Sequence, residues 1–342
     1  MSPTSAALAA HVPLAVATRG PAVESIHYGS VAVVDRSGRL LYAAGDPHVL
    51  TFTRSALKPV QALPLVAAGG VEKFRFAPEQ VALLCASHSG EPRHVEAVAD
   101  MLAKSGSFEA DLQCGTHAPG FYEARGDVPP PPPYSSLAHN CSGKHAGMLA
   151  YCAMCGHSKA DYLSFDHPLQ QAIRAAVARF TDVPASDLVT GVDGCSAPNY
   201  AVPLSRLALA YARLAAPGAD AIYDGAPQTV ADAMIAHPEM VSGERRSDLA
   251  LMRAGRGDWL TKIGAEGVQA IGTRSTGFGI AIKIADGQKR GLYPAIVGVL
   301  DALGLLDRVA VDALQSWGHP ELRNYRGIRT GDVHKVLVLD KC

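Results

Sequence analysis

Residues 51–70 read TFTRSALKPVQALPLVAAGG, and their pattern predicts how this part of the chain folds. The apolar spacing from Gln61 to Val66 is that of a helix, and the glycine pair at the end of the stretch terminates it. Pro59 is tolerated only in the first turn of such a helix. Ser55 is therefore expected at or before the helix N-terminus, near the positive end of the helix dipole.

The segments on either side of this helix predict a sheet built from both ends of the chain. The N-terminal sequence SVAVVDRSGRLLYAAGD indicates two strands joined by a turn at residues 35–38. Near the other end, FGIAIKIADG indicates a strand and RGLYPAIVGVLDALG a helix. Amphipathic helical patterns dominate the middle. The predicted fold class is α/β, with a mixed or antiparallel sheet, flanking helices and an α-helical lobe.

This layout also predicts the domain organisation. Residues 1–12 are expected to form a flexible tail, and residues 13–342 a single catalytic unit. Its α/β lobe is expected to comprise about 13–70 and 255–342, and its mainly helical lobe about 71–254.

Composition excludes several classes of function. Of the 342 residues, 48% are hydrophobic and 18% charged, which favours a large core over disorder. A net charge of -1 provides no broad basic surface, so neither nucleic acid nor an anionic membrane is an expected partner. The sequence has no signal-peptide pattern and no apolar stretch long enough to span a membrane. A soluble, cytoplasmic protein is expected.

Ser55 and Lys58 lie one helical turn apart, which places their side chains on one face. A serine hydroxyl is a good nucleophile only beside a base, and a lysine serves as that base when burial or a neighbouring cation lowers its pKa. Serine is also a favoured helix N-cap, and the spacing alone favours that simpler interpretation. Arg54 could bind a carboxylate or lie on the surface.

Two further segments carry polar side chains next to small residues. In CASHSG, residues 85–90, Ser87 precedes His88, but adjacent side chains rarely face each other and a polar loop or cap explains the segment alone. In TKIG, residues 261–264, Lys262 resembles the third motif of penicillin-recognising enzymes. A surface lysine at a strand edge is the simpler alternative.

The segments HNCSGKHAGM (139–148) and GVDGCSAP (191–198) contain cysteine, lysine and histidine in turns. Two thiolates with nitrogen ligands suit zinc, although the spacing is not that of a zinc finger. Buried free thiols or a redox-sensitive pair are the alternatives. The seven cysteines, an odd number without a secretion signal, argue against a disulfide framework. Cys152 and Cys155 lie in an apolar helical pattern and are expected in the core.

Taken together, the blocks RSALKP, CASHSGEPRH, NCSGKHAGML, DGC and AHPEMVSGE resemble the asparaginase family typified by the inducible, thermolabile Rhizobium etli enzyme. The resemblance runs from about residue 19 to about residue 300. It implies hydrolysis of L-asparagine to aspartate and ammonia, a fold similar to serine β-lactamases and glutaminases, a homodimer, and a zinc ion.

The resemblance also implies roles for individual residues. It pairs Ser55 with Lys58 and Ser87 with Lys262 as catalytic residues, makes Arg54 and Asp193 substrate-binding residues, and makes Cys141, Lys144 and Cys195 the zinc ligands. The implied mechanism has Ser55 attack the side-chain amide while Lys58 takes its proton, with the other pair relaying protons. Backbone amides near Ser55 or Ser87 are expected to form the oxyanion hole.

Two other functions remain open from the residues. A glutaminase or a β-lactamase-like enzyme could use the same serine and lysine motifs, although no Ser-Asp-Asn element is found. A zinc or thiol sensor without catalysis could use Cys141 and Cys195, but it would leave the serine blocks and Lys262 unexplained.

Overall fold

The computed structural model describes residues 10–216, 218 and 220–342, so most of the predicted tail lies outside the described residues. The strands are β1 (Val12–Arg19), β2 (Ala22–Val34), β3 (Leu40–Ala44), β4 (Leu50–Phe52), β5 (Val189–Val192), β6 (Pro198–Pro203), β7 (Trp259–Gly264), β8 (Val268–Thr273), β9 (Gly279–Ile284), β10 (Glu321–Arg323), β11 (Arg329–Lys335) and β12 (Asp340–Lys341). The α-helices are α1 (Lys58–Ala67), α2 (Gly70–Phe74), α3 (Pro78–Leu84), α4 (Pro92–Lys104), α5 (Gly120–Arg125), α6 (Ser142–Cys155), α7 (Pro168–Thr181), α8 (Leu204–Ala215), α9 (Ala226–Ala236), α10 (Pro238–Val241), α11 (Ser247–Gly255), α12 (Lys289–Ala302) and α13 (Arg308–Gly318).

The main sheet combines strands from both ends of the chain. Its order is β10–β11–β1–β2–β9–β8–β7, with β3 beside β2 and β12 beside β3. Every pairing between these strands is antiparallel. The predicted α/β class, with a sheet built from the N- and C-terminal strands, is therefore confirmed.

The strand β2 shows why the sheet is covered on both faces. Side chains alternate along a strand, so Val31 and Val33 point to one face while Ala32 and Val34 point to the other. The two valines pack in the core that contains α12. Ala32 and Val34 belong to the larger core that extends through the helices of the middle segment. This arrangement explains the continuous apolar run in the sequence.

The helix α8 joins the sheet to the helical region. It packs against β2, β8 and β9. A Cβ atom at Gly279 would lie 1.9 Å from the Ala208 carbonyl oxygen, so only glycine allows β9 to approach this helix so closely. The segment predicted as the helical lobe thus supplies the cover for one face of the sheet.

The other helices of the middle segment pack around α1, which contacts α6, α7 and α9. The structure also contains a second antiparallel sheet, with the order β4–β6–β5. The sequence analysis did not predict this sheet. Because β4 immediately precedes the Ser55 segment, this small sheet brings that segment beside the turn between β5 and β6.

Two further details differ from the sequence expectation. Cys152 is buried, but Cys155 is exposed because α6 ends there and Gly156 turns the chain in a left-handed conformation. The C-terminal end of the predicted α/β lobe supplies β10, β11 and β12, strands that the sequence analysis did not identify. In the described part of the chain, no helix is both long and apolar enough to cross a membrane.

Candidate active site

The segment before α1 is held in a strained conformation beside the small sheet. Thr53 anchors it, because its amide and its hydroxyl both donate to the Tyr200 carbonyl, at 3.0 and 2.9 Å. Arg54 then adopts a φ of +48°, a left-handed conformation that is uncommon for residues other than glycine. The Asn199 side chain stabilises this turn, since it accepts from the Arg54 amide and donates to the Arg54 carbonyl.

Arg54 and Asp193 form an ion pair next to this turn. Arg54 Nε donates to Asp193 Oδ1 at 2.8 Å, and the Gly194 amide donates to the same oxygen at 2.8 Å. Burial acts to raise the pKa of Asp193, but the hydrogen bond from Arg54 and the charge of Lys144 outweigh burial and lower it. The pair therefore offers one cation and one anion at neutral pH.

Lys58 is only 1% exposed at the start of α1. Its Nζ donates to the Ala86 carbonyl at 2.5 Å and to Ser87 Oγ at 2.9 Å, and it lies 3.5 Å from the Asn140 carbonyl. All three partners are neutral oxygens. An ammonium group here donates to Ser87, whereas a neutral amine would accept the Ser87 hydroxyl proton.

Ser55 lies in a 3₁₀ turn, residues Arg54–Leu57, and is partly exposed. The oxygens that Lys58 Nζ contacts do not include the Ser55 hydroxyl. The structure thus joins Lys58 to Ser87, two residues that the sequence analysis placed in different serine–lysine pairs. Ser55 is the more accessible of the two serines, since Ser87 is buried.

Lys262 lies on β7, fully buried beside Asp248 at the start of α11. Its Nζ donates to the Ile263 carbonyl at 2.9 Å and to Asp248 Oδ2 at 3.3 Å. Burial lowers the pKa of Lys262 to about 8, although the Asp248 carboxylate acts in the opposite direction. The positive charge of Lys58 also lowers this pKa, which indicates that the two buried lysines share one electrostatic environment.

The predicted zinc ligands form a second buried cluster. A Cβ atom at Gly143 would lie 2.4 Å from the Leu83 carbonyl oxygen, so glycine permits α6 to approach the end of α3 closely. Cys141 precedes this helix and Lys144 lies in its first turn. Lys144 Nζ donates to Cys195 Sγ at 2.9 Å. The three predicted ligands are therefore brought together although the chain separates them.

Electrostatics in this cluster favour a thiolate at Cys141. The hydrogen bond with Cys195 is the main reason that the pKa of Cys141 lies well below its usual range, and the charges of Lys58 and Lys144 add to it against burial. Burial acts to lower the pKa of Lys144, but the two thiols outweigh burial and raise it. Burial and the neighbouring thiols raise the pKa of Cys114 to about 12, so this nearby cysteine remains a neutral thiol.

His145 supports the same charge arrangement. The Tyr162 hydroxyl accepts from the Gln113 amide at 3.0 Å and contacts His145 Nδ1 at 2.7 Å. With the tyrosine as donor to Nδ1, the ring proton lies on the buried Nε2, which has no hydrogen bond of ordinary geometry among the described residues. Burial lowers the pKa of His145 to about 4, although Cys195 acts to raise it.

The residues of this cluster fit a zinc ion. Two thiolates and an amine match the soft sulfur and nitrogen donors that zinc prefers. The lone N–H of His145 is oriented to support a thiolate beside it rather than to bind the metal. A lysine coordinates only as a neutral amine, so metal binding must displace a proton from Lys144.

His88, which lies beside Ser87, has a structural role. Ser142 Oγ donates to the Leu137 carbonyl at 2.7 Å, so His88 Nε2 must donate to Ser142 Oγ at 2.9 Å. Its Nδ1 accepts from the Gly90 amide at 3.1 Å. Burial lowers the pKa of His88 well below its usual value. The neutral ring therefore holds the turn and is not free to transfer protons.

The structure adds residues that the sequence analysis missed. Asn199 holds the Arg54 turn, the Asn140 carbonyl faces Lys58, and Asp248 contacts Lys262. Asn199 and Asp248 each lie a few residues beyond a recognised block, GVDGCSAP and AHPEMVSGE. That proximity was the only signal for them, because their importance depends on contacts with distant segments.

A cavity with a volume of about 840 Å³ lies elsewhere in the described part of the chain. It is lined mainly by residues of α7 and of the segment 182–185 that follows it, together with Arg36 and Arg213. None of the predicted site residues lines it. The assignment of the site therefore depends on side-chain chemistry and not on cavity size.

Serines beside buried lysines are the groups with which one class of hydrolases cleaves amides and esters. The chain belongs to the L-asparaginase II family, which matches residues 15–335. It is accordingly an enzyme that hydrolyses L-asparagine. The match extends past residue 300, where the sequence resemblance ended, and includes β11.

Comparison with solved structures gives, among others, a protein from Bacteroides dorei DSM 17855 that is provisionally described as a beta-lactamase. The two chains share 16% identity with a TM-score of 0.40, over 80% of this chain and 93% of that chain. A similarity of this size carries no argument about function. Comparison with curated proteins gives no match.

Proposed function

We propose that the chain hydrolyses L-asparagine with Ser55 as nucleophile and with Ser87 and Lys58 as its proton relay. The observation that carries the proposal is the 2.9 Å contact between Lys58 Nζ and Ser87 Oγ, with the partly exposed Ser55 one helical turn before Lys58 in the chain. Ser87 is buried and already hydrogen-bonded to a lysine, whereas Ser55 is the serine that a substrate can reach.

The proposed reaction proceeds in two steps. Ser55 Oγ forms a bond to the side-chain amide carbon, and its proton passes through Ser87 to the neutral amine of Lys58. The C–N bond breaks as Lys58 returns a proton to the leaving nitrogen, and ammonia departs. Water then attacks the resulting ester, gives its proton to the same relay, and releases aspartate with the Ser55 hydroxyl restored.

The developing oxyanion needs a donor. The Ser87 amide donates to the Val241 carbonyl at 2.9 Å, which removes it from consideration. The Ser55 amide, at the start of its short helical turn, is therefore the proposed donor. Lys262 is proposed to act as a second base in the relay, because burial lowers its pKa to about 8 and makes its neutral amine accessible.

Arg54 and Asp193 are proposed to bind the ends of the substrate. Free asparagine carries an α-carboxylate and an α-ammonium group, and this ion pair presents a guanidinium and a carboxylate that complement them. The two charges are fixed to each other and to Gly194, so little ordering is required on binding.

A zinc ion held by Cys141, Lys144 and Cys195 is the proposed cofactor. Support comes from the buried contact between Lys144 and Cys195 and from the thiolate character of Cys141. When bound, the ion would supply a positive charge that fixes the site and helps to recognise the polar end of the substrate.

We propose that the enzyme is a homodimer, as the family resemblance implies, which light scattering after gel filtration would test. We also propose the cytoplasmic location expected from the sequence, which cell fractionation would test.

The test is ammonia release by the purified protein from L-asparagine, with L-glutamine and nitrocefin as comparison substrates. Rapid release from asparagine and little turnover of the other two is expected. Turnover of glutamine or nitrocefin at a comparable rate would contradict the proposed specificity. No turnover of any of the three substrates, with zinc supplied, would contradict the proposed function.

A further inference from the structure

The C-terminal part of the sheet brings three potential metal ligands together. Asp332 and His334 lie two residues apart on β11, so they share one face of the sheet. Glu321 on β10 pairs with Asp332, and the same antiparallel register, extended by two residues, places His319 opposite His334. His319 also ends α13, so this cluster connects a helix to the sheet.

The distances in the cluster suit coordination of one ion. His319 Nε2 lies 3.3 Å from Asp332 Oδ2, and His334 Nδ1 lies 2.8 Å from Asp332 Oδ1. The three ligand atoms all lie within 4.8 Å of one another. Ligands at about 2.0–2.1 Å from a tetrahedral zinc ion are about 3.3 Å apart, so only small side-chain shifts are needed.

We propose that His319, Asp332 and His334 form a site for a divalent transition metal, separate from the thiol cluster. Two imidazoles and a carboxylate are ligands that Zn²⁺, Ni²⁺ and Co²⁺ share. The ligands are partly exposed, so the ion can enter from solvent. A bound ion would fasten the end of α13 to β11 and stabilise the C-terminal region.

The guanidinium of Arg329 competes with the ion for the Asp332 carboxylate. It donates to Asp332 Oδ2 at 2.9 Å and thus occupies one of the oxygens with a positive charge. Glu321 lies 3.7 Å from Arg329 Nε and provides an alternative partner. The arginine can therefore leave the carboxylate without losing every ion pair, and its removal should strengthen metal binding.

The test is a Co²⁺ titration of full-length protein that carries one equivalent of zinc, which fills the thiol cluster first, followed by absorption and by equilibrium dialysis. One additional equivalent is expected, with weak visible bands and without the intense near-ultraviolet bands of thiolate ligation. His334→Ala should weaken this binding at least tenfold and leave asparagine turnover unchanged, whereas Arg329→Gln should strengthen it severalfold. No additional equivalent, thiolate bands, or binding that is unchanged in a folded His334→Ala variant would each overturn the proposal.

An independent observation concerns the buried carboxylate of Asp248. It is fully buried and accepts hydrogen bonds from the Ile263 amide at 3.0 Å and from Gln269 Nε2 at 3.0 Å. These two neutral donors fix its position, and it lies 3.3 Å from Lys262 Nζ. These two hydrogen bonds hold the Asp248 carboxylate in place independently of Lys262.

We infer that Asp248 is a positioning residue that orients Lys262 and sets the pH at which this lysine loses its proton. The inference rests on the proposed catalytic role of Lys262. Other titratable or charged groups around the Asp248–Lys262 pair are Lys58, Cys85, Tyr211, Arg246 and Tyr293.

Removal of the Asp248 charge should shift the pH dependence of activity in a definite direction. The carboxylate raises the pKa of Lys262, so Asp248→Asn should lower this pKa and extend activity to lower pH. The acidic limb of the kcat/KM profile should move down by about 1–3 pH units. Gln269→Met, which removes a neutral contact of the same carboxylate, serves as the matched control and should leave the limb in place.

The pH profile separates this inference from the proposed function. A wild-type enzyme without asparagine turnover would refute the proposed function itself. An active, folded Asp248→Asn enzyme whose acidic limb coincides with that of the wild type would refute only the positioning role. An identical shift in Gln269→Met would also refute it, because the shift would then not depend on charge.

Discussion

Two buried lysines lie in neighbouring regions with different partners. Lys58 contacts two backbone carbonyls and a serine hydroxyl, while Lys144 contacts a cysteine sulfur. Neutral oxygens accept hydrogen bonds from either protonation state of an amine, so the first lysine can gain and lose a proton without rearrangement. Thiolates instead favour a cation, either the ammonium itself or a metal ion. The first region is thus suited to proton transfer and the second to holding positive charge.

The largest expected effect follows from Ser55→Ala in the first region. Loss of the nucleophile should reduce kcat for L-asparagine by at least about 10³-fold, since only binding and charge stabilisation would remain. The side chain is partly exposed and small, so thermal unfolding should change little. Ser87→Ala is the matched variant and should retain more activity, because water can replace a relay but not a nucleophile. If Ser55→Ala were as active as the wild type, Ser55 could not be the nucleophile.

The contrast between the two lysines can be tested directly by Lys58→Met and Lys144→Met. The first change should lower kcat by about 10²–10⁴-fold, because general base catalysis is lost. The second should lower the zinc content, which atomic absorption measures, with a smaller effect on kcat. The comparison fails if Lys58→Met folds and keeps normal kcat, or if Lys144→Met keeps a full equivalent of zinc.

A smaller effect is expected from Asp193→Asn at the edge of the site. The neutral amide would still accept from the Gly194 amide but would lose its charge towards the substrate ammonium group. A charged hydrogen bond contributes about 1.5–3 kcal/mol, which corresponds to a rise in KM of roughly 10–100-fold. Steady-state kinetics should show this rise with a smaller change in kcat. A fall in kcat alone would place Asp193 in the chemical steps instead.

The sequence predicted the fold class because its periodic segments are strong and local. The run around Val31 to Val34 and the helix after Pro59 were both recognisable from spacing. The resemblance supplied the site residues and paired Ser55 with Lys58 and Ser87 with Lys262. The contact between Lys58 and Ser87 could not be foreseen, since it depends on where α3 ends relative to α1. Asp248 was missed for the same reason.

The smallest effects are expected from substitutions of cysteines. Only a cysteine inside the buried cluster should affect zinc content and thermal stability. Cys195→Ser should lower zinc content and the unfolding temperature, because a buried partner of Lys144 is weakened. Cys155→Ser is the matched control, since this thiol is exposed and outside the cluster. Both variants are compared by metal analysis and thermal unfolding. Equal zinc content in the two variants would contradict the assignment of Cys195 as a zinc ligand.

The account depends most on which serine carries the acyl group. Rapid acid quench of the enzyme during turnover of L-asparagine, followed by peptide mass spectrometry, locates a β-aspartyl ester directly. Lys58→Met is expected to slow both the formation and the hydrolysis of the ester. The reaction is therefore quenched with the wild type and, separately, with this variant. The account predicts the ester on Ser55 in at least one of them. An ester on Ser87 would contradict it.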